Sequence, residues 1–130
     1  MTQWHGDKKK RKMSGGRRKL SRGKRSFEMG KEAIETELGE RAEKSVRSRG
    51  GNTKIKLVRE NYANVTSPSS RRTERTKIIR VLKNPVNADY DRRNIITKST
   101  RIETAIGEAI VTSRTGQDGV INAVLLDKKT

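Results

Sequence analysis

Thr53-Lys54-Ile55-Lys56-Leu57-Val58-Arg59 alternates apolar with basic residues. Period two is the repeat of a β-strand, whose successive side chains point to opposite faces, so this stretch predicts a strand with one cationic face. Similar short runs recur downstream. Arg75 to Leu82 carries Ile78, Ile79, Val81 and Leu82 ahead of an Asn84-Pro85 turn. Arg93 to Thr97 contains Ile95-Ile96, and the runs Arg101 to Ala105 and Glu108 to Ser113 flank Gly107. Gly116-Gln117-Asp118-Gly119 is a hairpin signal leading into Val120 to Asp127. Upstream, Ile34-Glu35-Thr36-Glu37-Leu38 alternates as far as Gly39 and reads as a strand, while Ala33 to Lys44 also fits a short helix. Many short strands separated by turns predict an all-β fold. A small β-barrel or a strongly curved antiparallel sheet is expected, because closure removes exposed edges.

Charge divides the chain. Residues 1–26 hold eleven basic residues against the single acid Asp7, a net +10 of the total +17. The large apolar residues there, Met1, Trp4, Met13 and Leu20, follow no period. Such a block cannot offset its own ordering entropy by burial, so it is expected to be disordered alone and to order on a partner. From Phe27 acids return and β-branched residues dominate. The expected organisation is a basic N-terminal extension over 1–26 and a β-barrel-like domain over 27–130, with Phe27 as a core anchor where they join. Hydrophobic residues make up only 29% of the 130, so the core is small.

A surplus of seventeen positive charges opposes compaction and calls for a polyanion. Nucleic acid fits, because Lys and Arg displace condensed counterions from phosphates. A membrane fits poorly: there is no long apolar run and no basic amphipathic stripe. Without cysteine there are no disulfides, zinc knuckles or thiol catalysis, and a cytoplasmic home is favoured. His5 is the lone histidine and has no second ligand for a metal. The Gly-rich run Ser14-Gly15-Gly16-Arg17-Arg18-Lys19 lacks the spacing of a nucleotide loop. Turn chemistry accounts for Asp89, Asp91 and Asp118. The chain therefore reads as no enzyme, with no cofactor, metal or small-molecule substrate.

In the extension, Lys8, Lys9, Lys10, Arg11, Lys12, Arg17, Arg18, Lys19, Arg22, Lys24 and Arg25 are interleaved with Ser14, Gly15 and Gly16. Small residues let backbone approach phosphates that the cations neutralise. A second constellation lies between Lys44 and Arg59, where no acid occurs. Arg47, Arg49, Lys54 and Lys56 flank Gly50-Gly51-Asn52, which suggests a loop exposing backbone N–H groups to phosphate oxygens. Weaker patches are Arg71, Arg72, Arg75, Lys77 and Arg80, broken by Glu74, and Arg92-Arg93 with Lys98 and Arg101. Aromatics are few, so recognition is expected to rest on phosphate and shape, as on folded RNA, rather than on stacked single strands. Trp4 is the candidate for stacking on a base or wedging into a crevice.

Composition does not separate RNA from DNA. The run Arg11-Lys12-Met13-Ser14-Gly15-Gly16-Arg17-Arg18-Lys19, continued by Lys24-Arg25-Ser26-Phe27-Glu28-Met29-Gly30, resembles the signature of the archaeal and eukaryotic small-subunit ribosomal protein eight family (e-type). Trp4-His5, Val46-Arg47-Ser48-Arg49-Gly50-Gly51-Asn52, Thr76-Lys77-Ile78-Ile79 and Asn84-Pro85-Val86-Asn87 extend the match. Arg93-Asn94-Ile95-Ile96-Thr97-Lys98 through Gly116-Gln117-Asp118-Gly119-Val120 looks like the archaeal branch. The resemblance implies a cytoplasmic, ribosome-bound structural protein with a β-barrel and a basic extension, in contact with small-subunit rRNA and neighbouring ribosomal proteins. Carried over, the arm from Arg11 to Arg25 and the Arg47 to Asn52 loop become the expected rRNA contacts. Alternatives are a ribosome-assembly factor of the related eukaryotic branch, whose long helical charged extension is missing here, and a DNA-compacting chromatin-like protein.

Overall fold

The computed structural model describes residues 3–4, 11–19, 22–23 and 25–126. Two compact units are present, Met1–Ala33 and Ile34–Thr130. In the first, β1 (Gln3–Trp4) pairs antiparallel with β2 (Met29–Gly30), Gln3 opposite Gly30. A single 3-10 turn, Ser26–Glu28, precedes β2. Phe27 lies in that turn and is 59% exposed, so it is no core anchor.

The second unit carries β3 (Thr36–Leu38), β4 (Ala42–Arg47), β5 (Thr53–Glu60), β6 (Tyr62–Ser67), β7 (Arg72–Lys83), α1 (Ala88–Arg92), β8 (Ile95–Ile96), β9 (Arg101–Thr104), β10 (Glu108–Val111), α2 (Thr115–Asp118) and β11 (Asn122–Leu125). Strands β10-β11-β6-β7-β9 close into a barrel, and β4-β5-β3-β8 form a second sheet. All barrel contacts are antiparallel except β11 with β6, where Asn122 aligns with Asn64. The expected all-β class with a small closed barrel is what the chain adopts. The stretch 33–44, readable as strand or helix, holds β3 and the start of β4 and no helix.

Alternation places Ala63 and Val65 of β6, Ile102 of β9, Ala109 and Val111 of β10 and Ala123 of β11 inside, each almost fully buried. Leu57 from β5 and Ile96 from β8 join the same cluster, so the second sheet shares the barrel's core. Between the sheets the chain turns a corner at Glu60, 4% exposed. Its carboxylate accepts from the Asn61 and Tyr62 backbone N–H groups, both at 3.2 Å, and pairs with Arg41 at 3.0 Å. A buried carboxylate is tolerable there because its lone pairs meet donors and a cation.

Two short helices went unforeseen. At Asn84-Pro85 the chain does turn, but the turn runs into α1. Asn87 caps it by accepting from the Asp89 N–H at 3.1 Å. Buried Asn84 ties the turn down: its amide donates to the Ile95 carbonyl and its oxygen accepts from Val86 N–H and Thr97 Oγ1. Gly116 to Gly119 is not a tight hairpin tip. Ten residues, 112–121, link the antiparallel β10 and β11, and α2 forms one helical turn within them. Asp118 accepts from the Arg114 N–H at 2.8 Å, and Gly119 ends the turn at φ 70°.

Polar contacts lock the second sheet to α2. Thr36 Oγ1, fully buried, donates to the Leu57 carbonyl at 2.8 Å and hydrogen-bonds Thr115 Oγ1 at 2.8 Å. Thr36→Val keeps the volume and removes both bonds, leaving Thr115 Oγ1 only the Ile96 carbonyl at 3.3 Å, so it is expected to lower unfolding free energy by about 1–3 kcal/mol. Urea denaturation measures this; a loss below a few tenths would show that the pair contributes nothing.

Candidate nucleic-acid interface

In the first unit, residues 11–19 are all exposed. Lys12 to Gly16 forms a tight turn: the Gly15 N–H donates to the Lys12 carbonyl at 3.0 Å and the Lys12 N–H to the Gly16 carbonyl at 2.9 Å. Gly15 sits at φ 79°, a left-handed conformation that favours glycine. Arg11 closes over the turn by donating to the Gly15 carbonyl. Arg17, Arg18 and Lys19 follow, exposed. Arg22 differs from these: it forms a two-pronged ion pair with Glu28, whose carboxylate also accepts from the Arg25 N–H. The guanidinium is held above its usual pKa by that hydrogen bond first and Coulombic attraction to Glu28 as well. The candidates Lys8, Lys9, Lys10 and Lys24, and the Trp4 side chain, lie outside the described residues, as does part of the segment expected to order on a partner.

The β4–β5 hairpin brings the second constellation together. Val46 pairs with Lys54 and Arg47 with Thr53, so the loop is Ser48 to Asn52. The Ser48 N–H donates to the Asn52 carbonyl at 2.6 Å. Gly50 and Gly51 have φ values of 74° and 78°, the positive φ that a loop between two strands calls for. Every residue of 40–55 is exposed apart from Val46 and Ser48, which are partly so, and therefore both faces of this ribbon meet solvent. In the strand over 53–59, Lys54 and Lys56 lie on one face, as its alternation leads one to expect, and β4 adds to both faces. Lys44, Lys54 and Lys56 share one face with Val46, while Arg47 projects from the other. Lys44 stands directly opposite Lys56. Like charges so placed are destabilising without an anion between them. Lys54 reaches Gln117 of α2 at 3.2 Å. Among the described residues no acid pairs with Lys44, Arg47, Lys54 or Lys56.

The third group is divided by the fold. Arg71, at φ 53°, lies in the loop between β6 and β7, and Arg72 opens β7; both are exposed. Arg72 and Glu74 line a cleft of about 160 Å³ with Val65, Ser67, Ser70, Ile106 and Leu125. Arg75 and Lys77 pair with Asn64 and Tyr62, whose strand neighbours Ala63 and Val65 point into the core, so these two cations face outward. Arg80 pairs with Glu103, Arg92 with Asp89 and Arg93 with Glu35. Alternation thus puts Glu74 on the side away from Arg75 and Lys77, though in sequence it interrupts them. Tyr62, Asn64 and Asn122 were missed at the sequence level; the period-two run Tyr62-Ala63-Asn64-Val65-Thr66 is the signal that points to them.

A family model described as ribosomal protein S8e matches residues 5–126. The chain belongs to the ribosomal protein S8e family. That match takes in the basic turn, the β4–β5 hairpin and the whole barrel. The small ribosomal subunit protein eS8 of Methanoregula boonei is 49% identical over 95% of this chain and 98% of its own length. That of Ignicoccus hospitalis is 44% identical over 99% of this chain and all of its own. The Hyperthermus butylicus protein of the same name is 54% identical over 65% of this chain, and that alignment covers 62% of the relative. These relatives are archaeal, in agreement with the resemblance to the archaeal branch. Nothing among them favours an assembly factor or a DNA compactor for this S8e chain.

Proposed function

We propose that this S8e chain is a structural constituent of the small ribosomal subunit, in the cytoplasm, that binds and stabilises folded rRNA and performs no catalysis. Small-subunit relatives aligned along nearly the full length carry the reading. The geometry supports it. Two basic devices, the 11–19 turn and the β4–β5 hairpin, present exposed backbone and cations, and among the described residues no acid pairs with Lys44, Arg47, Lys54 or Lys56. Residues 1–26 act as an rRNA-binding extension and 27–130 as the domain that positions the hairpin, with Arg71 and Arg72 as a further contact. Neighbouring ribosomal proteins are the second class of partner. Among the described residues no helix is long and apolar enough to cross a membrane. Tagged chain is expected to co-sediment with small subunits through a salt wash; sedimentation with large-subunit precursors or with DNA alone would sink the reading.

The hairpin tip has its own test. Nothing lies within 4 Å of a Cβ built on Gly51. Gly51→Ala therefore carries a backbone penalty of about 1 kcal/mol and no clash. If the tip only turned the chain, the folded fraction would bind RNA unchanged. As a phosphate contact, Gly51→Ala and Arg49→Ala each lower rRNA affinity beyond the stability loss, by about three- to tenfold. Thermal melts beside RNA titrations of both variants decide between the two; parental affinity in both would reduce the tip to a turn.

A further inference from the structure

On the outer wall of the barrel, Arg75 Cζ sits 4.7 Å from the centre of the Tyr62 ring. Tyr62 remains 45% exposed and Arg75 is exposed. The two side chains form a stack that begins on the sheet. Strand register places Asn64 opposite Arg75 and Asn122 beside Asn64, in one row across β11, β6 and β7. Asn64 Nδ2 donates to Asn122 Oδ1 at 3.1 Å. That bond uses one donor of one amide and the acceptor of the other. The Asn64 oxygen and the Asn122 amide nitrogen keep their own capacity, an acceptor and a donor side by side. Lys77, opposite Tyr62, supplies a cation one row away. The outward residues of this strip are Tyr62, Asn64, Thr66, Thr73, Arg75 and Lys77, with no acid among them, because Glu74 faces the other way.

This chemistry exceeds what a phosphate needs. A phosphate is satisfied by cations and N–H groups. A planar cation backed by an aromatic ring, next to a paired donor and acceptor, suits a flat ligand with a hydrogen-bonding edge. Bases within an A-form duplex offer neither face nor Watson–Crick edge, whereas an unstacked base offers both, and guanidinium planes are platforms for it. We propose that Tyr62, Arg75, Asn64 and Asn122 form a site for a single unpaired nucleotide of RNA. Its base stacks on the outer plane of Arg75, its edge meets the two amides, and Lys77 takes the adjoining phosphate. The inference rests on the rRNA-binding reading and adds to it a base-reading element apart from the hairpin.

The test uses the full chain and two RNA duplexes of equal length, one fully paired and one with a single-nucleotide bulge. The parent is expected to bind the bulged duplex about tenfold more tightly, the scale of one base stacked on a protein platform. Arg75→Lys keeps the charge and loses the plane, so it abolishes that preference and leaves affinity for the paired duplex within about twofold. Asn122→Ala, at an exposed position, reduces the preference and flattens the ranking of the four bases at the bulge. Thermal melts check that both variants fold. Equal binding of the two duplexes by the parent, or a preference that survives in Arg75→Lys, overturns the nucleotide site while leaving rRNA binding intact. Absence of salt-dependent binding to either duplex overturns both.

Discussion

A chain lacking residues 1–26 binds small-subunit rRNA far more weakly than the full chain, and its affinity depends less steeply on salt. The removed segment carries eleven cations and one acid. Arg22 is already paired with Glu28, so it adds less than its neighbours. Each phosphate contact contributes somewhat under one unit to the slope of log K against log salt, so losing roughly six contacts flattens it by about five units. Across 50 to 200 mM salt, six contacts correspond to about a thousandfold change in affinity, which the shortened chain no longer shows. Binding isotherms at four salt concentrations measure both slopes. Circular dichroism checks that the barrel persists. An unchanged slope would mean that the extension does not track phosphates.

Gly119→Ala is expected to be the most damaging of the single glycine substitutions considered. Gly119 has φ 70°, so any Cβ there is strained. Space is lacking as well: a Cβ would lie 3.0 Å from Ile55 Cγ2, 3.1 Å from Ile55 Cβ and 3.2 Å from the Ile55 carbonyl. Ile55 is held in β5 by pairing with Ser45, so its backbone cannot yield freely. The backbone term of about 1 kcal/mol and an overpacking term of about 1–3 kcal/mol sum to a loss of about 2–4 kcal/mol. In a domain of this size that lowers Tm by about 10 °C, against about 4 °C for Gly51→Ala, which meets no neighbour. Calorimetry of the two variants side by side checks it; equal losses would show that α2 swings clear of β5 at no cost.

The positions of these two glycines illustrate how far the residues speak for themselves. Gly50-Gly51 between two basic, strand-like segments is a local signal, and the positive φ at both follows from local loop geometry. Gly119 carries a hairpin signal of the same kind, yet its role depends on Ile55, sixty-four residues earlier. Nothing local says that the 112–121 link is long enough to wind a helical turn, or that this turn lies against β5. The helix alternative for 33–44 fails for a similar reason: Thr36 and Leu38 belong to a strand because Ile96 and Glu60 lie beside them, and pairing overrides local preference. Phe27 stands where the basic extension meets the domain, a place that suggests a core anchor, yet position in the chain says nothing of where a core surface is available to it, and it is exposed.

Alternation and turn residues determined the all-β class, and charge determined the need for a polyanion; the order of motifs pointed to the family. Those properties are sums over neighbours in sequence. Closure of the barrel depends on the parallel pairing of β11 with β6, between segments nearly sixty residues apart. Alternation assigns a residue to one face of its strand but does not name the strand that will lie alongside. Only tertiary structure decided that Glu74 turns away from Arg75 and Lys77, that Tyr62, Asn64 and Asn122 share one outer face, and that the loop-side half of the β4–β5 ribbon has both faces in solvent while Leu57, further along β5, enters the core. Each is a matter of which distant backbone supplies the partner hydrogen bonds, and that choice is made by packing the whole chain around one small core.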